Sequence, residues 1–114
     1  MEKVLKFYLS NTDTYKHRSL YEYIAYQAKQ NGIEGVTVYQ GVMGYGSTGR
    51  LSSNKFWEIN VKYPVVIEMI DNEQTLQKFI DGILPVINSQ PKGCLITMQA
   101  VDIVLRKKGE NKIK

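Results

Sequence analysis

Apolar positions along this chain recur with two periods. Between Ser19 and Gly32 they fall at Leu20, Ile24, Ala25 and Ala28, the spacing of one helix face. Ser19-Leu20-Tyr21-Glu22 in front of that stripe reads as a capping box, with serine at the N-cap and glutamate reaching back to its amide. Gly32 suits the left-handed position that closes such a helix. A cleaner helical stripe runs through Leu76, Phe79, Ile80, Ile83, Leu84 and Ile87, with Asp71 or Asn72 as its cap.

The remaining apolar segments have the two-residue period of strands. Lys3 to Leu9 alternates weakly, Gly35 to Met43 contains the β-branched run Val36-Thr37-Val38-Tyr39, and Val61 to Ile70 is a third strand. Pro64, near the start of that third strand, suits an edge or an irregularity. Cys94 to Leu105 is the last. Its alternation through Ile96, Met98 and Ala100 shifts to Val101, Ile103 and Leu105, which predicts a bulge or bend near Ala100. Asn11-Thr12-Asp13-Thr14 and Asn88 to Gly93 carry loop and turn chemistry. The order β-α-β-β-α-β predicts an α+β, ferredoxin-like arrangement, an antiparallel sheet with both helices on one face.

Between the second and third strands the chain is glycine-rich: Gly41-Val42-Met43-Gly44-Tyr45-Gly46-Ser47-Thr48-Gly49. Glycines this dense let the backbone approach a ligand or another chain, and a long loop in so small a domain is usually functional. Gly44 to Gly49 matches GxGxxG, with Asp71 at a suggestive distance beyond. Arg50-Leu51-Ser52-Ser53-Asn54-Lys55 has no helical stripe to place a helix N-terminus on a pyrophosphate, so a dinucleotide fingerprint fails on context. Arg50, Lys55, Phe56 and Trp57 are the residue types that anchor protein partners. The alternative is that Phe56 and Trp57 fold back onto the sheet.

Composition narrows the classes. The 114 residues, 43% hydrophobic, fit one domain with one core. No apolar run reaches the roughly 18–20 residues needed to cross a bilayer, and Met1 to Lys6 carries no signal-peptide core, so a cytoplasmic location is expected. Cys94 is the single cysteine and reads as a small core residue; His17 is the single histidine, so neither a metal site nor a Cys–His nucleophile is signalled. The chain's formal net charge of +4 is concentrated in Arg106, Lys107, Lys108, Lys112 and Lys114, against Glu110 alone. Such a tail can meet phosphate or an anionic surface, but no aromatic residues interleave with it, so nucleic acid is not expected as a partner. Tyr21, Tyr23 and Tyr26 flank the first helix's stripe, in the manner of a subunit interface or of ordinary half-buried packing. With no acid/base pair in view, a non-enzymatic role is expected. The alternatives are an enzyme of the same fold using a tyrosine, His17 or Cys94, and a ligand-free interaction module.

Several segments together resemble the PII-like proteins, and most closely the uncharacterised branch catalogued as domain of unknown function family 190. They are Leu20-Tyr21-Glu22, Gly32 to Val38, Gly41 to Gly46, Tyr63 to Glu68 and Gly93 to Thr97. The resemblance implies a single PII-like domain over residues 1–105, a long T-loop-like segment at 44–60 and a basic tail at 106–114. It implies a homotrimer of ferredoxin-like subunits that takes a small effector, such as an adenine nucleotide, in clefts between subunits. Gly41, Gly44, Tyr45, Gly46 and Gly49 at the loop, Lys92 and Gly93 before the last strand, and Arg106 and Lys107 near the end are the implied ligand-binding residues. Arg50, Lys55, Phe56 and Trp57 are the implied partner contacts, with a membrane transporter or channel as the partner. The chain departs from the better-known PII regulators at Cys94, where they carry a lysine, at Ser47-Thr48, where they carry arginine and glutamine, and near Leu105, where they carry an arginine. Within its own branch, Gln40 stands where an arginine is common.

Overall fold

The alternating segments and the two helical stripes take up the expected order, with short additions. In chain order the elements are β1 (Glu2–Ser10), β2 (Thr14–Tyr15), β3 (Arg18–Ser19), α1 (Leu20–Gln30), β4 (Gly35–Gln40), β5 (Met43–Gly44), β6 (Ser52–Ser53), β7 (Pro64–Asn72), α2 (Glu73–Asn88) and β8 (Leu95–Ala100). The structure is a computed structural model that describes residues 1–46, 52–53 and 62–110. Four strands form one antiparallel sheet in the order β4-β7-β1-β8. No helix among the described residues is long and apolar enough to cross a membrane.

Alternation decides which side of the sheet is covered. Leu5, Phe7 and Leu9 of β1 and Val65, Ile67 and Met69 of β7 are buried under the helices. α1 adds Leu20, Ile24 and Ala28, and α2 adds Leu76, Phe79, Ile83 and Ile87. Phe79 meets Phe7 edge-on, ring centroids 6.2 Å apart. On the opposite face Val4, Lys6 and Tyr8 stand opposite Ile70, Glu68 and Val66, flanked by Tyr39 from β4 and Leu95 from β8. Among the described residues no helix covers that face.

The helix ends follow local chemistry. Asn72 caps α2, its Oδ1 accepting from the Thr75 amide at 2.8 Å. Asp71 ties down the start of β4, accepting from the Glu34 amide at 3.0 Å. Gly32, at φ 77°, ends α1 in a Schellman motif, with Ile33 N donating to Ala28 O and Gly32 N to Lys29 O.

Four expectations need correction. Ser19 does occupy the N-cap position of α1, but no side-chain cap bond forms. A two-stranded hairpin instead fixes the entry: Thr14 pairs with Ser19 and Tyr15 with Arg18, and Leu20 N donates to Asp13 O at 2.7 Å. The second strand stops at Gln40 and resumes as β5 rather than running through to Met43. The third begins at Pro64, which opens a central strand and not an edge. The last strand ends at Ala100, so the shift in alternation there marks a terminus and not a bulge within a longer strand.

Candidate functional site

The expected glycines converge at one end of the sheet. β1 ends there, and β7 and β8 begin there. Gly41 N donates to Pro64 O at 2.7 Å, and a Cβ on Gly41 would lie 2.6 Å from Pro64 Cγ. Only a residue without a side chain lets the two segments approach this closely. Past that contact the chain turns into β5, which pairs with β6 (Met43 with Ser53, Gly44 with Ser52). On the other side, Asn11 and Tyr63 exchange two hydrogen bonds, Asn11 N to Tyr63 O at 3.1 Å and Tyr63 N to Asn11 Oδ1 at 2.8 Å. These contacts open a cavity of about 690 Å³.

Its walls divide by chemistry. Tyr8, Leu9, Val65, Val66 and Leu95 give an apolar floor, while Gly41, Gly44, Tyr45, Gly46 and Gly93 line it from the two turns. Among the described residues, Lys62 and Lys92 are its cations and Asp13 its one acid. Cavities of this size, apolar with a few fixed polar groups, suit a small organic ligand. Two lysines against one carboxylate favour an anionic one.

Of the expected ligand residues, Gly41, Gly44, Tyr45, Gly46, Lys92 and Gly93 all line this cavity. Arg106 and Lys107 do not. Arg106 stands at the opposite end of the sheet, its guanidinium 2.7 Å from Glu2 Oε1 and 3.2 Å from Glu34 Oε1. The hydrogen bond to Glu2 holds Arg106 more firmly protonated than usual, and Lys108 lies 3.9 Å from Glu34. Within one chain these acids neutralise the start of the tail. Gly49, Arg50, Lys55, Phe56 and Trp57, with most of the 44–60 segment, lie outside the described residues.

Cys94 is half-buried, packed against the edge of the core and lining the cavity wall. Burial pushes its thiol up to about 11, and Asp13 adds to the shift. A thiol held protonated is a poor nucleophile. His17 is at the tip of the β2–β3 hairpin (φ 65°) and does not line the cavity, so the two residues are not brought together. Among the described residues no group of three or more His, Cys, Asp or Glu side chains could hold a metal.

Sequence reasoning missed Tyr8, Asp13, Lys62, Val66 and Leu95 as cavity residues. Asp13 carried only a turn signal. Its burial arises from the hairpin folding back on the end of β1, which no local pattern reports.

Comparison with known proteins agrees with this fold. The family model described as "Uncharacterized ACR", domain of unknown function 190, matches residues 2–103. A UPF0166 protein of Aquifex aeolicus is 30% identical over 103 residues, 90% of this chain and 93% of that one. A UPF0166 protein of Methanocaldococcus jannaschii is 33% identical over 87 residues, 76% of this chain and 80% of that one. Among solved structures, CPII of Thiomonas intermedia K12, a nitrogen regulatory PII-like protein bound to ADP, AMP and bicarbonate, superposes with a TM-score of 0.61. Its identity is 17%, and 88% of this chain and 87% of that chain are covered. A PII-like signaling protein from Thermus thermophilus gives a TM-score of 0.60 at 12% identity, covering 86% of this chain and 84% of that one. At such identities the structural likeness speaks for the fold. The family match spans nearly the whole chain: this protein belongs to the domain of unknown function 190 family and has the fold of the PII-like proteins.

Proposed function

We propose that this protein is a non-catalytic PII-like regulator that senses a small anionic effector, an adenine nucleotide such as ADP, at the cavity between the Gly41–Gly46 turn and the Lys92–Gly93 turn. The observation that carries the reading is the convergence of those two glycine turns and two lysines on one cavity. Its apolar floor suits a base or sugar, and the lysines with the turn amides suit phosphates. ADP and AMP are bound by CPII, which shares the fold.

The assembly is a homotrimer built on the uncovered sheet face. Val66 and Ile70 supply apolar area there, and Tyr39 and Leu95 are half or more exposed at 50% and 58%. The face also holds an internally satisfied polar cluster: Lys6 lies 3.9 Å from Glu68, and Tyr39 OH donates to Glu68 Oε1 at 3.3 Å. Charges already paired within one chain are less costly to bury between chains. In the trimer the cavity becomes part of an inter-subunit cleft. Effector occupancy biases the segment at 44–60, and a partner, a membrane transporter or channel, reads that bias through Arg50, Lys55, Phe56 and Trp57.

A thermal-shift series tests the effector. Ligand at a hundredfold excess over Kd adds about 2.7 kcal/mol to apparent stability, a shift of several degrees for a domain of this size. A shift with ADP or AMP and an unchanged nucleotide afterwards support the reading. No shift with any adenine nucleotide defeats the effector assignment, and turnover of the bound nucleotide defeats the non-catalytic one.

A further inference from the structure

Asp13 is the buried charged residue of the described chain, 3% exposed. It is held on all sides. Its Oδ2 accepts from Ser10 N at 3.1 Å, its own amide donates to Ser10 O, and its carbonyl accepts from Leu20 N at 2.7 Å. Its remaining carboxylate oxygen, Oδ1, lies 3.8 Å from Lys92 Nζ.

The lysine is held quite differently. Its side chain is 54% exposed, and 3.8 Å is too long for a hydrogen bond. The pair therefore joins a fixed anion to a movable cation. Both line the cavity, where among the described residues Asp13 is the one acid and Lys62 the other cation. An anion entering there competes with Asp13 for the same ammonium group.

We propose that Asp13 is a resident counter-ion for Lys92, which an anionic effector must displace in order to bind. The proposal rests on the reading of this cavity as an anion site. When Lys92 turns to the ligand, Asp13 keeps its bond from Ser10 but loses its nearby cation. A buried carboxylate with less compensation is costly, and that cost is subtracted from the affinity of the effector. The residue thus sets a threshold that weakly charged ligands do not meet. It also carries occupancy outward, because the same residue's carbonyl receives the first amide of α1. Asp13 is a positioning residue here and need not touch the ligand.

The test is calorimetric titration of the full chain with ADP, comparing the native protein with Asp13→Asn, Lys92→Gln and the double variant. Asparagine keeps the acceptor for Ser10 N and removes the charge. Lys92→Gln should weaken binding about tenfold, as expected for one charge-assisted contact. Asp13→Asn should tighten it about two- to fivefold, the scale of one partly exposed ion pair that binding no longer has to break. In the Lys92→Gln background the same change should have no more than a small residual effect, since nothing is left to compete for. Asp13→Asn binding no tighter than the native protein, or gaining equally in both backgrounds, overturns the counter-ion. Should Asp13→Asn not fold, the native protein supplies a second readout in the Leu20 amide resonance, which lies off the cavity. It should move on saturation with ADP, and stay in place in saturated Lys92→Gln; an unmoved resonance in the native protein overturns the proposal. Native protein that takes up no ADP at all removes the effector reading and the counter-ion with it, whereas tight native binding matched by Asp13→Asn removes the counter-ion alone.

Discussion

Replacing Gly41 by alanine should destabilise the protein, while the same replacement at Gly82 should stabilise it. A Cβ at position 41 would sit 2.6 Å from Pro64 Cγ and 3.4 Å from both Pro64 Cβ and Pro64 O. Ordinary carbon contacts are about 3.5–4.0 Å, so roughly 1 Å must be recovered by movement. The proline ring cannot swing aside as a flexible side chain would. Its carbonyl is bonded to Gly41 N at 2.7 Å, and Pro64 is paired with Ser10 at the end of β1. Overpacking of this kind costs about 1–3 kcal/mol. At roughly 4 °C per kcal/mol for a domain of this length, Gly41→Ala should lower Tm by roughly 4–12 °C. Gly82 is in the exposed interior of α2, where an added Cβ would meet nothing within 4 Å. Alanine there removes the entropic penalty of a helical glycine, a gain of about 0.5–1 kcal/mol. Urea and thermal melts at matched protein concentration read both effects, since the proposed assembly would make apparent stability depend on concentration. Gly41→Ala within about 0.5 kcal/mol of the native protein, beside a stabilised Gly82→Ala, would refute the close approach of Gly41 to Pro64.

Other consequences are equally specific. Phe79→Ala removes the partner of Phe7 from the core and should cost about 3–5 kcal/mol in a urea melt; a cost under about 1 kcal/mol would mean the two rings do not pack. Asn72→Ala leaves the Thr75 amide uncapped and should cost about 1 kcal/mol, with Asn72→Asp close to neutral. Cys94, with its thiol pushed up to about 11, should alkylate slowly at pH 8, and its rate should keep rising past pH 9 where an ordinary cysteine levels off. The linkage has a definite sign: a thiol pKa raised on folding contributes stability that is intact below its unfolded value of 9.0 and declines as pH climbs toward about 11. A rate plateau near pH 9 would contradict the burial. Leu95→Glu alters a side chain 58% exposed in the single chain, so it should leave the subunit folded yet prevent trimer formation in light scattering; an intact trimer would move the interface elsewhere.

The elements that could be read from the sequence are those whose signal is local. α2 announces itself through six apolar positions on one face and an asparagine cap, and the structure buries Leu76, Phe79, Ile83 and Ile87 as that spacing demands. The two glycine turns were visible from glycine density and from the Asn88–Gly93 cluster, and they prove to be neighbours in space. What failed was set by distant partners. The β2–β3 hairpin turns at Lys16 and His17, both at positive φ (51° and 65°), where glycine or asparagine would have given the usual signal. Tyr15 packed on Tyr23, centroids 4.7 Å apart, helps hold that turn. The same hairpin displaced the expected capping box, because Ser19 enters α1 already paired to Thr14. The break after Gln40 comes from Pro64, a residue distant in the chain that holds Gly41 by its amide. The weak alternation of Lys3 to Leu9 marked a strand, but not that Tyr8 near its end would floor a cavity. A run of basic residues likewise could not show that Glu2 and Glu34 would claim Arg106.

The central claim is that a trimer of this chain binds an adenine nucleotide at the paired glycine turns. Equilibrium dialysis with ADP, run alongside light scattering on the same sample, tests it most directly. The account predicts a mass of three chains and saturation at one ADP per chain, with that binding lost when Gly46, which has open space around it in the cavity wall, is replaced by tryptophan. Saturable binding undisturbed by that replacement would place the nucleotide elsewhere, and a protein that takes up no ADP would contradict the claim outright.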